Sequence, residues 1–201
     1  MTPVTAQPTT YGTDASFPRF SVARYQRMIE AGILTPDDKV ELLENRLVLK
    51  MPRNPEHDGM LLRIGKRLSR RLPAGWDLRG QSALVLVDSQ PEPDYAIVRE
   101  TADDYLSRHP TPADVGLVIE VANSSVLRDQ QDKVRIYARA MIPIYWIVNL
   151  VSGRVEVYTT PSGPVAVPAY GCFQTYRPGD DVPLVLDGVT VAAVPAADLL
   201  P

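Results

Sequence analysis

"VGLVIEVANSSVLRDQQDKVRIYARAMIPIYWIVNL", residues 115–150, decides the fold. It opens on a near-continuous apolar run from Val115 to Ala122, as expected of a central strand covered on both faces. A helix is expected from about Asp129 to Ala140, and a second apolar strand from Ile142 to Leu150. Strand, helix and strand of these lengths form a crossover unit joining parallel strands, which sets an α/β class. Glu120 is the exception inside the first strand, flanked by Leu117, Val118, Ile119, Val121 and Ala122. An unpaired carboxylate there costs on the order of several kcal/mol in desolvation or stays protonated. A cation is the natural compensation, either a metal ion or a lysine.

Working toward the N-terminus, "PEPDYAIV", residues 91–98, is a second strand that begins at an acid, Asp94. Side chains alternate faces along a strand, so Asp94 shares a face with Ala96 and Val98, and Glu120 shares one with Val118 and Ala122. Two carboxylates at the ends of neighbouring strands suit a hard divalent ion: Mg²⁺ uses one or two carboxylates plus waters and phosphate oxygens. Such an ion acidifies water and stabilises the charge that builds on a phosphodiester under attack. A nearby lysine would orient the attacking water.

The remaining elements follow from patterning. Ser21 is placed to cap a helix through Tyr25, Met28 and Ile29, with Gly32 closing it. "VELLENRLVLK", from Val40 to Lys50, has two strand-like arms about Glu44-Asn45, a hairpin. From Pro55 to Leu72 the apolar residues Leu61, Ile64, Leu68 and Leu72 make an amphipathic helix, with His57 on its inward face. Arg63, Lys66, Arg67, Arg70 and Arg71 crowd the rest of that helix. "SALVLVD", residues 82–88, reads as another strand, and Pro178-Gly179 and Asp187-Gly188 punctuate short edge strands near the C-terminus.

With 201 residues, 45% of them hydrophobic, the chain can bury one substantial core, so 18–201 is expected to be a single domain behind a flexible tail, residues 1–17. A net charge of −3 weighs against strong non-specific binding to nucleic acid, which comes from Lys and Arg neutralising phosphates. Nothing at the start resembles a secretory signal, and no run approaches the roughly 20 apolar residues of a membrane span. A cytoplasmic protein without membrane contact is therefore expected, and the Asn123-Ser124-Ser125 glycosylation pattern is noise. Cys172 is the one cysteine, and with two histidines it cannot build a Cys-rich zinc site. No nucleophile elbow, P-loop or dinucleotide fingerprint is present. Paired carboxylates also serve glycosidases, but a lysine-bearing helix has no place in that scheme.

The two strand blocks, together with "VELLENRLVLKMPRNPEHDGMLLRIGKRL", residues 40–68, resemble the Uma-two family of restriction-endonuclease-like proteins within the PD-(D/E)xK nuclease superfamily. The resemblance spans about residues 20–160. It implies a PD-(D/E)xK restriction-endonuclease-like core, a mixed central β-sheet flanked by helices, with an N-terminal helix and β-hairpin. It also implies that Asp94 and Glu120 bind Mg²⁺, or Mn²⁺ in its place. The superfamily's lysine usually stands two residues after the second acid, where this chain has Ala122; the Uma-two pattern draws it from the following helix, where Lys133 matches. Glu41 matches the family's hairpin acid and His57 its helix-start histidine. Glu44-Asn45 departs from the family's frequent Asp-Gly, and Asn123 from its Asp or Ser.

Each residue also has a plainer reading. Asp94 is a turn acid after proline, Glu41 an exposed hairpin acid, and His57 a hydrogen-bonded boundary histidine. Lys133 could be one end of an i, i+4 pair with Asp129, which could also aim it inward. The Arg63–Arg71 stripe is a solvated helix face unless DNA binds, when it becomes the phosphate-contacting surface. Two functions of different kind therefore stand: a metal-dependent endonuclease cutting DNA, for which a homodimer would supply two symmetric sites, or a nuclease fold kept for nucleic-acid binding or protein interaction with weak or no catalysis. RNA or a special DNA structure as substrate is a third possibility, since phosphodiester chemistry at one metal site is common to all.

Overall fold

The computed structural model describes residues 18–52, 54–123 and 125–201; the tail, residues 1–17, and the middle of the Asn123-Ser124-Ser125 pattern lie outside them. Six strands form the central sheet in the order β3-β4-β5-β6-β7-β8. They are β3 (Trp76–Gly80), β4 (Tyr95–Arg99), β5 (Val115–Ala122), β6 (Ile144–Asn149), β7 (Arg154–Pro161) and β8 (Tyr170–Tyr176). Only the β5–β6 pair is parallel, the one joined by a helical crossover; the other pairs are antiparallel. Every residue of β5 and β6 is buried, as a central strand requires.

Two apolar layers enclose this sheet. On one face Ile97, Leu117, Ile119 and Val121 meet Met60, Leu61, Ile64 and Leu68 of α2 (Pro55–Leu68). The C-terminal hairpin, β9 (Asp181–Leu186) and β10 (Val189–Pro195), and α5 (Ala196–Leu199) pack there too. On the other face Ala96, Val98, Val118, Ala122 and Ile147 meet Ile136 and Tyr137 of α4 (Val134–Arg139). Fully burying a side chain of this size is worth about 1.5–3 kcal/mol, so the helix stripes and strand faces fix the layering between them.

Local chemistry sets the parts that carry the site. Ser21 Oγ accepts the Arg24 N–H to cap α1 (Val22–Glu30), and Gly32 ends that helix at φ +67°. The hairpin of β1 (Val40–Leu43) and β2 (Arg46–Leu49) turns on Glu44 and Asn45, both at positive φ, the backbone that a two-residue hairpin turn needs. Its tip is clamped to α4: Glu44 accepts from Arg135 at 2.9 and 2.6 Å and from Arg139 at 2.7 Å. Asn54 caps α2 by accepting the His57 N–H at 2.9 Å, with Pro55 in the first turn. Gly65 lets Tyr95 lie against α2, since a Cβ there would stand 2.6 Å from the Tyr95 hydroxyl, which donates to the Leu61 carbonyl.

Three segments differ from the sequence expectation, the first being α2, which ends at Leu68 where a helix to Leu72 was expected. Residues 82–88 form no strand: Leu84 N–H bonds to Pro91 O, Val85 to Pro110 O and Leu86 to Ser89 O, three separate partners and no ladder. Ala83, Leu84 and Leu86 are nonetheless buried, so the apolar pattern reports burial and the backbone goes its own way. The strand beside β4 is instead β3, whose residues are half-buried or exposed at the sheet's edge. The crossover helix begins earlier than Asp129. It runs as α3 (Val126–Arg128), a π turn (Asp129–Lys133) and α4.

Candidate active site

The register that pairs Tyr95 with Ile119 sets Asp94 opposite Glu120, at one end of the sheet. Both line a cavity of about 500 Å³, together with Glu41 from β1, His57 from α2, and Asp129 and Lys133 from the π turn. Six residues singled out from sequence thus converge from five elements. Asp94 Oδ2 accepts the Val121 N–H at 2.8 Å and stands 3.3 Å from His57 Nε2. Glu120 is 4% exposed; its Oε1 accepts from Lys133 Nζ at 2.8 Å and from the Tyr137 hydroxyl at 3.0 Å. Among the described residues no hydrogen bond reaches Asp94 Oδ1 or Glu120 Oε2.

The lysine comes from the π turn, where Val134 N–H bonds back five residues to Asp129 O. Asp129 Oδ1 lies 3.5 Å from Lys133 Nζ, and Asp129 Oδ2 accepts the Ser125 hydroxyl. The i, i+4 pair and the inward aim therefore coexist. Burial opposes charge on Lys133, but Glu120, then Glu41 and Asp129, outweigh it and hold the ammonium well above the ordinary lysine range. Burial lifts Glu120 well above the usual carboxylate range; Lys133 pulls it back, while Asp129 and Asp94 lift it further. The lysine thus keeps its proton at neutral pH. Burial raises Asp129 as well, against the pull of Lys133 and the Ser125 hydrogen bond.

Glu41 is 4% exposed, not an exposed hairpin acid, and its Oε2 accepts the Glu92 N–H at 3.2 Å. The mouth of the cavity carries cations: Lys39, Lys50 paired to Glu92, and Arg128, which donates to Leu49 O at 2.9 Å. Tyr137 is buried in the core, and its hydroxyl on Glu120 was not foreseen from sequence. Its spacing of four from Lys133, on the same helix face, was the available signal.

Among the described residues no group of three or more His, Cys, Asp or Glu side chains is arranged to hold a metal ion. Asp94 and Glu120 offer two oxygens, which does not fit zinc or calcium but does fit Mg²⁺, an ion that keeps most of its waters and takes one or two carboxylates. The oxygens without hydrogen bonds, Asp94 Oδ1 and Glu120 Oε2, are the ones such an ion would use.

The basic stripe stands apart from this cavity. Arg63 donates to Leu200 O, Arg67 pairs with Asp198 at 3.3 Å and Arg71 with the same carboxylate at 3.0 Å, tying α2 to the C-terminal residues. Arg63, Lys66, Arg67 and Arg70 share a shallow groove with Gly59 and Leu62. Among the described residues no helix is long and apolar enough to cross a membrane.

Comparison with known proteins bears on the fold and the family. No curated protein matches the chain. A solved structure described as a putative nuclease belonging to DUF820, from Anabaena variabilis, superposes with a TM-score of 0.68 at 12% identity, over 90% of this chain and 97% of that one. That likeness concerns the fold. The profile of a family described as putative restriction endonuclease matches residues 22–192. With most of its length matched, the cavity and all six converging residues included, the chain belongs to the Uma2 family of restriction-endonuclease-like proteins.

Proposed function

We propose that the protein is a Mg²⁺-dependent endonuclease that hydrolyses DNA phosphodiester bonds, with Mn²⁺ able to replace Mg²⁺. One observation carries the reading: Asp94, Glu120 and Lys133, from two strands and a helix, share one cavity, with the Lys133 ammonium 2.8 Å from Glu120. Asp94 and Glu120 hold the ion, which supplies charge neutralisation at the phosphodiester and acidifies water. Lys133, whose ammonium is held charged by Glu120, Glu41 and Asp129, orients the attacking water and offsets charge on the phosphoryl oxygens. Glu41 assists directly or through water, His57 holds Asp94 in place, and Asp129 steers Lys133. The water oxygen bonds to phosphorus as one P–O ester bond breaks, and the proton that the water gives up is, in net, the one the leaving oxygen gains. Residues 18–201 act as a single domain in the cytoplasm, with Arg63, Lys66, Arg67, Arg70 and Arg71 as the phosphate-contacting surface. Two copies would serve the two strands of a duplex.

The test is calorimetric titration with Mg²⁺ of wild type and of Asp94→Asn/Glu120→Gln, with cleavage of mixed single- and double-stranded DNA on the same samples. Binding and cleavage in wild type, both lost in the double variant, are expected; Lys133→Ala should keep the ion and lose cleavage. Wild type that binds no Mg²⁺ even with DNA present would end the mechanism. A second reading, DNA binding without catalysis, is favoured by the Lys133–Glu120 pair, which compensates the buried carboxylate with no metal at all. It requires DNA binding that survives EDTA and weakens, with a shallower salt dependence, in Lys66→Ala/Arg70→Ala.

A further inference from the structure

Glu120 on β5 faces Ile147 on β6, and Ile147 faces Glu156 on β7. Directly opposed residues point to the same face of a sheet, so this row places two buried carboxylates beneath one helical segment, residues 126–139. Lys133 of that segment reaches Glu120. Gln130 of the same segment reaches Glu156, its Nε2 lying 2.9 and 2.8 Å from the two carboxylate oxygens. Both side chains belong to the π turn.

A π turn admits one more residue than an α-helical turn and is rarely kept for its own stability. A tertiary anchor is therefore needed, and the Gln130–Glu156 link supplies one with a charge-assisted acceptor. Glu156 is itself immobilised by Asn149 Nδ2 at 3.0 Å, Arg154 Nε at 2.9 Å and the Tyr158 hydroxyl at 3.1 Å. None of these residues lines the cavity. A lysine has a flexible four-carbon stem, so the position of its ammonium depends on where the backbone beneath it is pinned.

Resting on the reading of Lys133 as the group that orients the attacking water, we infer that Glu156 is a positioning residue. Through Gln130 it fixes the π turn, and with it the depth at which the Lys133 ammonium stands beside Glu120. Asp129, at the other end of the turn, is steered by the same anchor.

The test uses the full chain as wild type, Gln130→Ala, Gln130→Glu and the double variant Gln130→Glu/Glu156→Gln. Three quantities are read: kcat and KM for DNA with Mg²⁺, the Mg²⁺ affinity by calorimetry, and the ¹⁵Nζ resonance of Lys133 in the metal-free protein. Gln130→Ala should lower kcat about 10–100-fold, the usual cost of losing an outer-shell partner. KM and Mg²⁺ affinity should stay within about twofold, because ground-state binding is untouched. Gln130→Glu sets two carboxylates against each other and should be worse, while the double variant exchanges donor and acceptor and should recover most of kcat. The Lys133 resonance should shift or broaden by exchange in Gln130→Ala and return in the double variant. A resonance and kcat both unchanged in Gln130→Ala would overturn the inference, as would a kcat loss that only follows the folded fraction and is not rescued. If wild type cuts no DNA, the nuclease reading falls and the resonance still decides the positioning role.

Discussion

Glu120 and Glu156 lie in the same row of the sheet, both hidden from solvent, yet their carboxyls move in opposite directions. Burial raises both. At Glu156 hydrogen bonds from Gln130, Asn149, Arg154 and Tyr158 outweigh burial, and the pKa falls below the ordinary value. At Glu120 burial wins: Lys133 and Tyr137 share one oxygen, and two further carboxylates stand nearby. A buried acid with every lone pair engaged is a structural joint, whereas one left partly unengaged next to other acids retains room for a cation.

The largest effect should come from removing the lysine. Lys133→Met leaves Glu120 and Asp129 without their cation, and breaking a buried pair on one side costs about 3–5 kcal/mol. Urea unfolding at pH 8 should show that loss in full. In acid, as the raised Glu120 and Asp129 carboxyls take up protons, it should shrink. Equal losses at pH 8 and in acid would break the contrast drawn between the two carboxylates.

Glu156→Ala should follow, at about 3 kcal/mol, because it strands several buried donors at once. Its cost declines in a lower pH window than the lysine variant's. A carboxyl with a depressed folded pKa contributes stability that is present above its unfolded value and lost as pH falls through the folded one. The cost of Glu156→Ala should therefore stay level from pH 8 to pH 5 and decline only in stronger acid.

Slightly smaller is the effect of Mg²⁺ itself. Because the folded protein keeps the Glu120 proton that the unfolded chain has released, metal-free stability should fall as pH rises from the ordinary glutamate value through the raised one. A divalent ion takes the proton's place. At 100 times its Kd the ion adds about 2.7 kcal/mol, and thermal melts should show more of that gain at pH 8 than at pH 5. Glu120→Gln should abolish the gain; a Mg²⁺ shift that persists in that variant would put the ion elsewhere.

How much of this was readable beforehand varies with the physical signal. β5, the hairpin at Glu44-Asn45 and the stripe of α2 were legible because burial on both faces, a turn requiring positive φ, and a three-and-four spacing each leave a local mark in sequence. β3 was not: Trp76–Gly80 is an edge strand with no clean alternation, while Ser82–Asp88 alternates but finds no strand to pair with. The site residues on strands were legible as acids in apolar runs. Glu156 carries the same mark in "RVEVYTT" and was passed over, because Arg154 and Thr159 nearby make that run look amphipathic. The π turn left no mark at all, since it arises from contacts that only the folded sheet provides.

The finest test of the comparison removes one phenol from each carboxylate. Tyr137→Phe deletes one of two donors on Glu120, and Tyr158→Phe one of four donor residues on Glu156. A hydrogen bond to a charged group contributes about 1.5–3 kcal/mol where nothing replaces it, so Tyr137→Phe should cost about 1.5 kcal/mol. Glu156 keeps three donor residues, and half-buried Tyr158 sits where water can enter, so that variant should cost about 0.5 kcal/mol. Tyr137→Phe should also move Glu120 further up, shifting the onset of Mg²⁺ stabilisation to higher pH, while Tyr158→Phe leaves that onset in place. Guanidinium unfolding of the pair, with and without Mg²⁺, reads both quantities. Equal costs and a common onset would mean that the number of donors around a buried acid does not separate a joint from a site.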